Sequence, residues 1–290
     1  MFNFKRICIM YKVIKEIISA PLVNMGPIKL RQAIPTDAIE QISPFILLHH
    51  FDFTVEPGDA SFNVPPHPHR GFMPITFMFD GNIQHEDSLG NLESIGRDEV
   101  QWISAAKGII HSEKIDKKFL EQGGRFQGIQ LWINLPSREK LGIPSYQAIK
   151  KDNIELQSSA GVEFRLISGT YKGKIGPAHS NVITAMLRMG KDSHDQFTFE
   201  SNNQTLIYIL EGNIVINKNK PAKQHNLISF EFGDGDILIN ANENSVLLML
   251  SGKPIFEPLV SHGPFVMNSE TEIMEAMRDY QQGKMGYLSY

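Results

Sequence analysis

The sequence predicts an all-β chain of two barrel-like units closed by one C-terminal helix, and three observations predict it. First, 23 glycines and 16 prolines punctuate short runs rich in Ile, Val, Phe and Leu, the pattern of many short strands joined by tight turns. Second, Phe77-Met78-Phe79-Asp80-Gly81-Asn82-Ile83 is echoed 131 positions later by Tyr208-Ile209-Leu210-Glu211-Gly212-Asn213-Ile214. Each is a strand running into an acidic-Gly-Asn hairpin turn. Third, helical periodicity is scarce until the end. There Ser269-Glu270-Thr271-Glu272 has capping-box spacing, and Ile273, Ala276, Met277 and Tyr280 form an apolar stripe behind it.

The repeat sets the domain organisation. Glu99-Val100 resembles Asp236-Ile237 at an offset of 137, so the second copy is expected to carry about six extra residues in the intervening loop. Residues 1–150 are then expected to form one barrel preceded by a short extension, and 151–290 a second barrel plus the helix. The boundary falls between Lys150 and Gly161.

A chain of 290 residues has ample length for two cores. Its apolar runs stay under about a dozen residues, short of the roughly 20 that a membrane helix needs, so no membrane association is expected. Net charge is -4 with Lys and Arg scattered among acids, which lacks the basic footprint of a direct nucleic-acid binder. The single cysteine, Cys8, rules out an intrachain disulfide framework and fits a cytoplasmic protein. The basic then apolar opening, Met1 to Met10, has too short an apolar run for a signal peptide and is followed at once by Lys12, Lys15 and Glu16. It reads as a ragged extension with Met10 as an alternative start.

The chemistry concentrates in two phrases, His67-Pro68-His69-Arg70-Gly71 and Gly108-Ile109-Ile110-His111-Ser112-Glu113. Side chains alternate along a strand, so His-x-His and His-x-Glu each put two metal-binding groups on one face of a sheet. His67, His69, His111 and Glu113 are therefore the candidate metal ligands. Pro65, Pro66 and Pro68 stiffen the approach and suit a barrel mouth, while Gly108 lets the chain turn before the second strand. Imidazole suits iron, zinc, copper and nickel alike. The absence of thiolate argues against a closed zinc staple, and a carboxylate beside open positions favours Fe(II) over Mn, Ni, Zn or Cu. Such a centre can hold an organic oxyanion beside dioxygen, with Glu113 as ligand and as catalytic base toward a substrate hydroxyl.

Applied to these ligands, the repeat offsets reach Thr198 and Glu200 for the His pair, and Leu248 and Leu250 for the His-Glu pair. The second unit is thus expected to be apolar inside and free of metal. His85-Glu86-Asp87 also has period-two spacing, but it precedes the turn Ser88-Leu89-Gly90-Asn91, so its expected role is a loop-fixing hydrogen bond. His49 and His50 point to opposite faces, and at most one can enter a cavity. His179, His194, His225 and His262 are isolated. Trp102, Trp132 and Phe72 are candidates for lining a pocket for a flat aromatic ligand, and β-core packing accounts for them equally well. Arg70 is an orienting residue for the His pair or an ion-pair partner on the rim. No G-x-S-x-G elbow and no phosphate-cradling glycine loop occurs.

Several phrases in order, His67 to Phe72, His85 to Asn91, Val100-Gln101-Trp102, Gly108 to Glu113, Gln130 to Pro136 and Gly263 to Asn268, resemble the pirins, a branch of the cupin superfamily, over about Arg31 to Met277. The resemblance implies a bicupin with iron in the N-terminal barrel on His67, His69, His111 and Glu113, and a second barrel without metal. It implies one of two functions. One is opening of quercetin-like flavonols with dioxygen; the other is regulation through a protein partner, a transcription factor or a metabolic enzyme. Met73 departs from the pattern, standing where pirins usually carry Glu. With two barrels in one chain, a monomer is expected.

Overall fold

The computed structural model describes residues 10–26 and 28–288; Cys8 and most of the opening extension lie outside them. The architecture is all-β with two cupin-type barrels and a C-terminal helix. No helix among the described residues is long and apolar enough to cross a membrane.

The first unit comprises residues 20–154 and 254–290. One sheet orders its strands Ser145–Ile149, Val100–Ser104, Phe72–Asp80, Gly124–Asn134, Phe45–Val55, Ile28–Ile34 and Leu22–Met25. A second sheet orders Asn63–His69, Ile109–Ile115, Ile83–Asp87 and Leu92–Ile95. Their apolar faces enclose Leu30, Phe51, Phe62, Met78, Ile83, Ile95 and Phe126. Phe126 lies within 4.9 Å of Phe62 and 5.3 Å of Phe51, ring centre to ring centre, distances at which aromatic pairs add to simple burial. Pro74 lies inside a central strand without breaking it. The ladder to Val100–Ser104 begins only at Ile75, so the missing N–H falls beyond that ladder.

Of the described residues, the second unit comprises 10–19 and 155–253. Its strands run Ile14–Ser19, Asn226–Phe230, Gln204–Glu211, Ser245–Gly252, Ile183–Met189, Val162–Ser168 and Leu156–Ser159 in one sheet. The other sheet holds His194–Thr198, Asp236–Ala241, Asn213–Ile216 and Lys220–Lys223. The division corrects the expected ranges at both ends of the chain. Residues 14–19 supply the edge strand beside Asn226–Phe230, the position that Ser145–Ile149 takes beside Val100–Ser104. The segment from Pro254 onward, helix included, belongs with the metal-candidate barrel. Sequence order obscures this because terminal segments complete sheets begun elsewhere in the chain.

The C-terminal helix, Glu270–Gln281, starts where the capping box predicts. Ser269 Oγ accepts from the Glu272 N–H, and Glu272 Oε2 accepts from the Asn268 N–H at 2.8 Å. Ile273 and Ala276 are buried against Ile110, Phe265, Met267 and Met285. Met277 and Tyr280, expected on the same stripe, are 37% and 39% exposed.

Superposing the pairing patterns corrects the repeat arithmetic as well. Asp236–Ala241 lies between His194–Thr198 and Asn213–Ile216, as Ile109–Ile115 lies between Asn63–His69 and Ile83–Asp87. Phe197 opposes Ile237 where His67 opposes His111, and Ile216 opposes Ile239 where His85 opposes Glu113. The counterparts of the ligand set are therefore Phe197, Phe199, Ile237 and Ile239, all within one apolar core. They are not Thr198, Glu200, Leu248 and Leu250. An acidic residue before a β-branched one starts many strands, so the Glu99/Asp236 match slid the alignment by one strand. The interior is apolar as expected, through different residues.

His49 carries a pH signature. Its Nε2 lies 2.9 Å from Gln32 Oε1, and burial pushes its pKa down to about 4 against about 6.5 in an unfolded chain. Below pH ~6.5 the unfolded state takes up this proton first, so stability present above that pH is lost as pH falls toward 4. The loss is on the order of 3 kcal/mol. Denaturant titrations between pH 7 and 4 should show a flatter profile for His49→Gln than for wild type; parallel profiles would remove His49 as the cause.

Candidate metal centre

The site is built on two paired strands. His111 opposes His67, and Ile109 opposes His69, but Glu113 opposes Val64 rather than Pro65. The extra residue bulges out at Pro65-Pro66, where proline supplies no N–H to the ladder. On the other side of the same strand Asp87 faces His111 and His85 faces Glu113. Cross-strand partners share a face, and so do His67 and His69 two residues apart, so six polar side chains, His67, His69, His85, Asp87, His111 and Glu113, collect on one side of this sheet.

The three histidines converge. His67 Nδ1 donates to the Pro65 carbonyl at 2.9 Å, which leaves Nε2 as a lone pair, and that atom lies 3.1 Å from His69 Nε2. Two nitrogens bound at right angles to one ion at 2.0–2.1 Å would stand about 3 Å apart. The His111 ring centre is 4.3 Å from that of His67 and 4.9 Å from that of His69. Donor atoms of all three fall within 4.8 Å of one another. Burial, with neighbouring imidazoles adding to it, holds His69 and His111 well below the ordinary histidine range, so both are neutral and available as ligands.

Glu113 is placed differently from expectation. Its carboxylate groups with His85 and His111, not with His67 and His69. Oε1 accepts from Gln101 Nε2 at 2.5 Å and lies 3.9 Å from His111 Nδ1. His85 also departs from its expected role. Asp87 is the residue that fixes the turn, accepting from the Leu89 and Asn91 N–H groups and from Asn91 Nδ2. His85 is fully buried between Asp87, at 2.9 Å, and His111, at 3.4 Å. Tyr146 stacks on its ring at 4.1 Å and 4°. Gln101 and Tyr146 were missed from the sequence. Gln101 stands inside a motif but bears no ligand spacing, and Tyr146 reaches the site from a distant edge strand.

Polar atoms without hydrogen-bond partners concentrate here. Among the described residues, His69 Nδ1, His111 Nε2, Gln101 Oε1, Trp132 Nε1 and Tyr146 OH are buried and unpartnered. Buried polar groups are normally satisfied, so a cluster of exceptions around converging imidazoles fits a site that takes up an ion and a polar ligand. Trp132 and Phe72 stack 4.2 Å apart and both approach His69, at 5.4 and 5.0 Å. Phe72 is fully buried, so it packs as core beside His69, and Trp102 is core-buried on the strand that carries Gln101. Met73 is buried at 7% exposure and leaves that strand position without a carboxylate. His49, His50, His179, His194, His225 and His262 fall outside both histidine clusters.

Remote motifs brace the turn after the His pair. Arg70 donates from Nε to the Lys107 carbonyl and from Nη2 to Asp279 Oδ2 at 3.0 Å, so it is an ion-pair partner tying the C-terminal helix to the site. Lys140 is 1% exposed. Its three ammonium protons meet the Gly71 and Val266 carbonyls and Asn134 Oδ1 at 2.6–2.9 Å, and burial lowers its pKa to about 8. Gly71 has φ +90°, and a Cβ there would stand 1.9 Å from the Val266 oxygen. Gly71→Ala should therefore destabilise the protein by about 3 kcal/mol or more. A thermal unfolding midpoint unchanged from wild type would contradict this bracing.

A three-histidine cluster, with His69 and His111 buried and His67 half-buried, beside a carboxylate on the small sheet of one barrel of a pair, is the arrangement of a two-barrel cupin. Residues 27–133 match the Pirin family, and residues 184–286 match the Pirin C-terminal cupin domain. A pirin-like protein of Caulobacter vibrioides is 32% identical, covering 94% of this chain and 98% of its own. Pirin-1 of Arabidopsis thaliana is 35% identical over 85% of this chain and 84% of its own. The crystal structure of a quercetin 2,3-dioxygenase from Acinetobacter baumannii superposes with TM-score 0.90 at 30% identity, over 96% of this chain and all of that one. The fold is shared also with a bacterial pirin from Escherichia coli solved in complex with nickel(II), at TM-score 0.66 and 20% identity, covering 83% and 100%. The chain belongs to the pirin family.

Proposed function

We propose that this pirin is a metal-dependent dioxygenase acting on a quercetin-like flavonol or a related enolic aromatic substrate. The observation that carries the reading is the convergence of His67, His69 and His111 beside Glu113. In this reading those four residues hold Fe(II), with Mn, Ni, Zn or Cu as competitors for the same donors. The ion supplies the Lewis acidity and one-electron redox chemistry that dioxygen requires.

The chain's own residues supply the rest. Trp132 receives a flat ring system. Glu113, steadied by Gln101, takes the proton of the substrate hydroxyl, and Tyr146 OH, buried without a partner, is a hydrogen-bond donor available to a ligand oxygen. The relatives support this reading because one is solved as a quercetin 2,3-dioxygenase and another binds nickel(II).

The test is dioxygen uptake by anaerobically Fe(II)-loaded protein on addition of quercetin, with His69→Ala as control. Uptake by the wild type alone supports the oxygenase. No uptake at one iron per chain would overturn it and turn attention to a regulatory protein partner.

A further inference from the structure

His85 groups with His111 and Glu113, apart from His67 and His69, and the hydrogen bonds of the Asp87–His85 pair have a direction. Asp87 Oδ1 accepts from the Leu89 and Asn91 backbone N–H groups, while Oδ2 accepts from Asn91 Nδ2 at 2.9 Å and faces His85 Nε2 at 2.9 Å. A carboxylate only accepts, and Nε2 of His85 therefore carries the proton. In a neutral ring that leaves His85 Nδ1 as a lone pair, 3.4 Å from His111 Nδ1. Of two facing imidazole nitrogens one must donate, and only His111 is left to do so. Its proton is thereby drawn to Nδ1, and Nε2, which is buried without a partner, is left as a lone pair. Tyr146, stacked parallel on His85 at 4.1 Å, keeps that ring from rotating out of line.

We infer that Asp87, His85 and Tyr146 form a positioning relay that fixes His111 in its Nδ1–H tautomer and so aims Nε2 at the site formed with His67 and His69. The residues behind a ligand histidine commonly set its tautomer and basicity. Here the turn Ser88–Asn91 is what orients the carboxylate, so a surface loop governs the electronic state of a buried ligand. The inference deepens the metal-centre reading and rests on it for its purpose, though the tautomer itself is a property of the metal-free protein.

Asp87→Asn is the informative change. The backbone donors of Leu89 and Asn91 keep the amide oxygen at the Oδ1 position, which presents the NH2 group to His85. His85 Nε2 must then accept, its proton moves to Nδ1, and His111 is left with its proton on Nε2. The turn keeps its donors to the Oδ1 position and loses only the second contact of Asn91 Nδ2, while the relay runs backwards. Two-bond 15N–1H correlation spectra of the metal-free protein, with His111 and His85 assigned through His→Gln variants, should show Nδ1–H for His111 in wild type and Nε2–H in Asp87→Asn. Fe(II) and Ni(II) affinity, measured by chelator competition, should fall about 10- to 100-fold in the variant. A second variant, Tyr146→Leu, should show a mixture of His111 tautomers at unchanged fold.

An Nε2–H tautomer of His111 in the wild type, or a doubly protonated His85, would overturn the relay without any variant having to fold. Unchanged metal affinity in Asp87→Asn despite a switched tautomer would also overturn it. Failure of the wild type to bind either metal, with the Nδ1–H tautomer in place, would instead sink the metal-centre reading and leave the tautomer assignment standing.

Discussion

His111→Ala is expected to weaken divalent-metal binding by more than about 100-fold, beyond what loss of a supporting residue causes, and to abolish oxygen-dependent turnover. His111 is the residue shared by both clusters, His67–His69–His111 and His85–His111–Glu113. It is also fully buried, at 0% exposure, so no solvent-exposed group can replace it. Titration of the variant with Fe(II) or Ni(II) under anaerobic conditions checks this. Binding within tenfold of wild type would mean that the three-histidine cluster is not the metal centre. The variant also opens a cavity of imidazole size, so its folding should be verified by far-ultraviolet dichroism.

Glu113→Gln is expected to divide binding from turnover. The amide can still accept from Gln101 Nε2, whose bond to Oε1 is 2.5 Å in the wild type, so the local structure should persist. Metal affinity should drop by about tenfold or less, because three imidazoles remain. Oxygen uptake with quercetin should fall by about 100-fold or more, the contribution of a positioned general base. Wild-type turnover in this variant would remove Glu113 from the chemistry, and loss of metal in parallel with activity would make it a ligand alone.

Much of this site could be read directly because strand geometry is periodic. His67-x-His69 and His111-x-Glu113 announce a shared face whatever the rest of the chain does, and the observed pairing of His111 with His67 joins the two phrases. What escaped the sequence depends on which strands become neighbours. His85 looked like a loop-fixing residue because Ser88 to Asn91 follows it, yet the strand it occupies lies against Ile109–Ile115 and faces Glu113. Tyr146 entered the site from an edge strand paired with Val100–Ser104, a contact with no local signal. The bulge at Pro65-Pro66 displaced Glu113's partner by one residue, which period-two reasoning alone cannot anticipate.

The second barrel shows the same limit. An internal repeat correctly announced two related units, but the counterparts of the ligands are Phe197, Phe199, Ile237 and Ile239, not the residues that a constant offset selects. Loop lengths vary freely between copies because loop closure costs little per added residue, so spacing drifts while pairing order is kept. The helix was the reverse case. Its cap and start at Ser269 were fully local, while its membership in the first unit was not. Arg70 bonded to Asp279 and Lys140 bonded to Gly71 and Val266 explain that membership.

The central claim is that one divalent metal ion sits among His67, His69 and His111 in the first barrel. An anomalous-difference map from crystals of the Fe(II)-loaded protein, collected either side of the iron absorption edge, tests it most directly. One peak per chain is expected within bonding distance of the three Nε2 atoms, and none in the apolar core around Phe197 and Ile237. A peak at any other position, or none at the histidines in protein shown to contain iron, would contradict it.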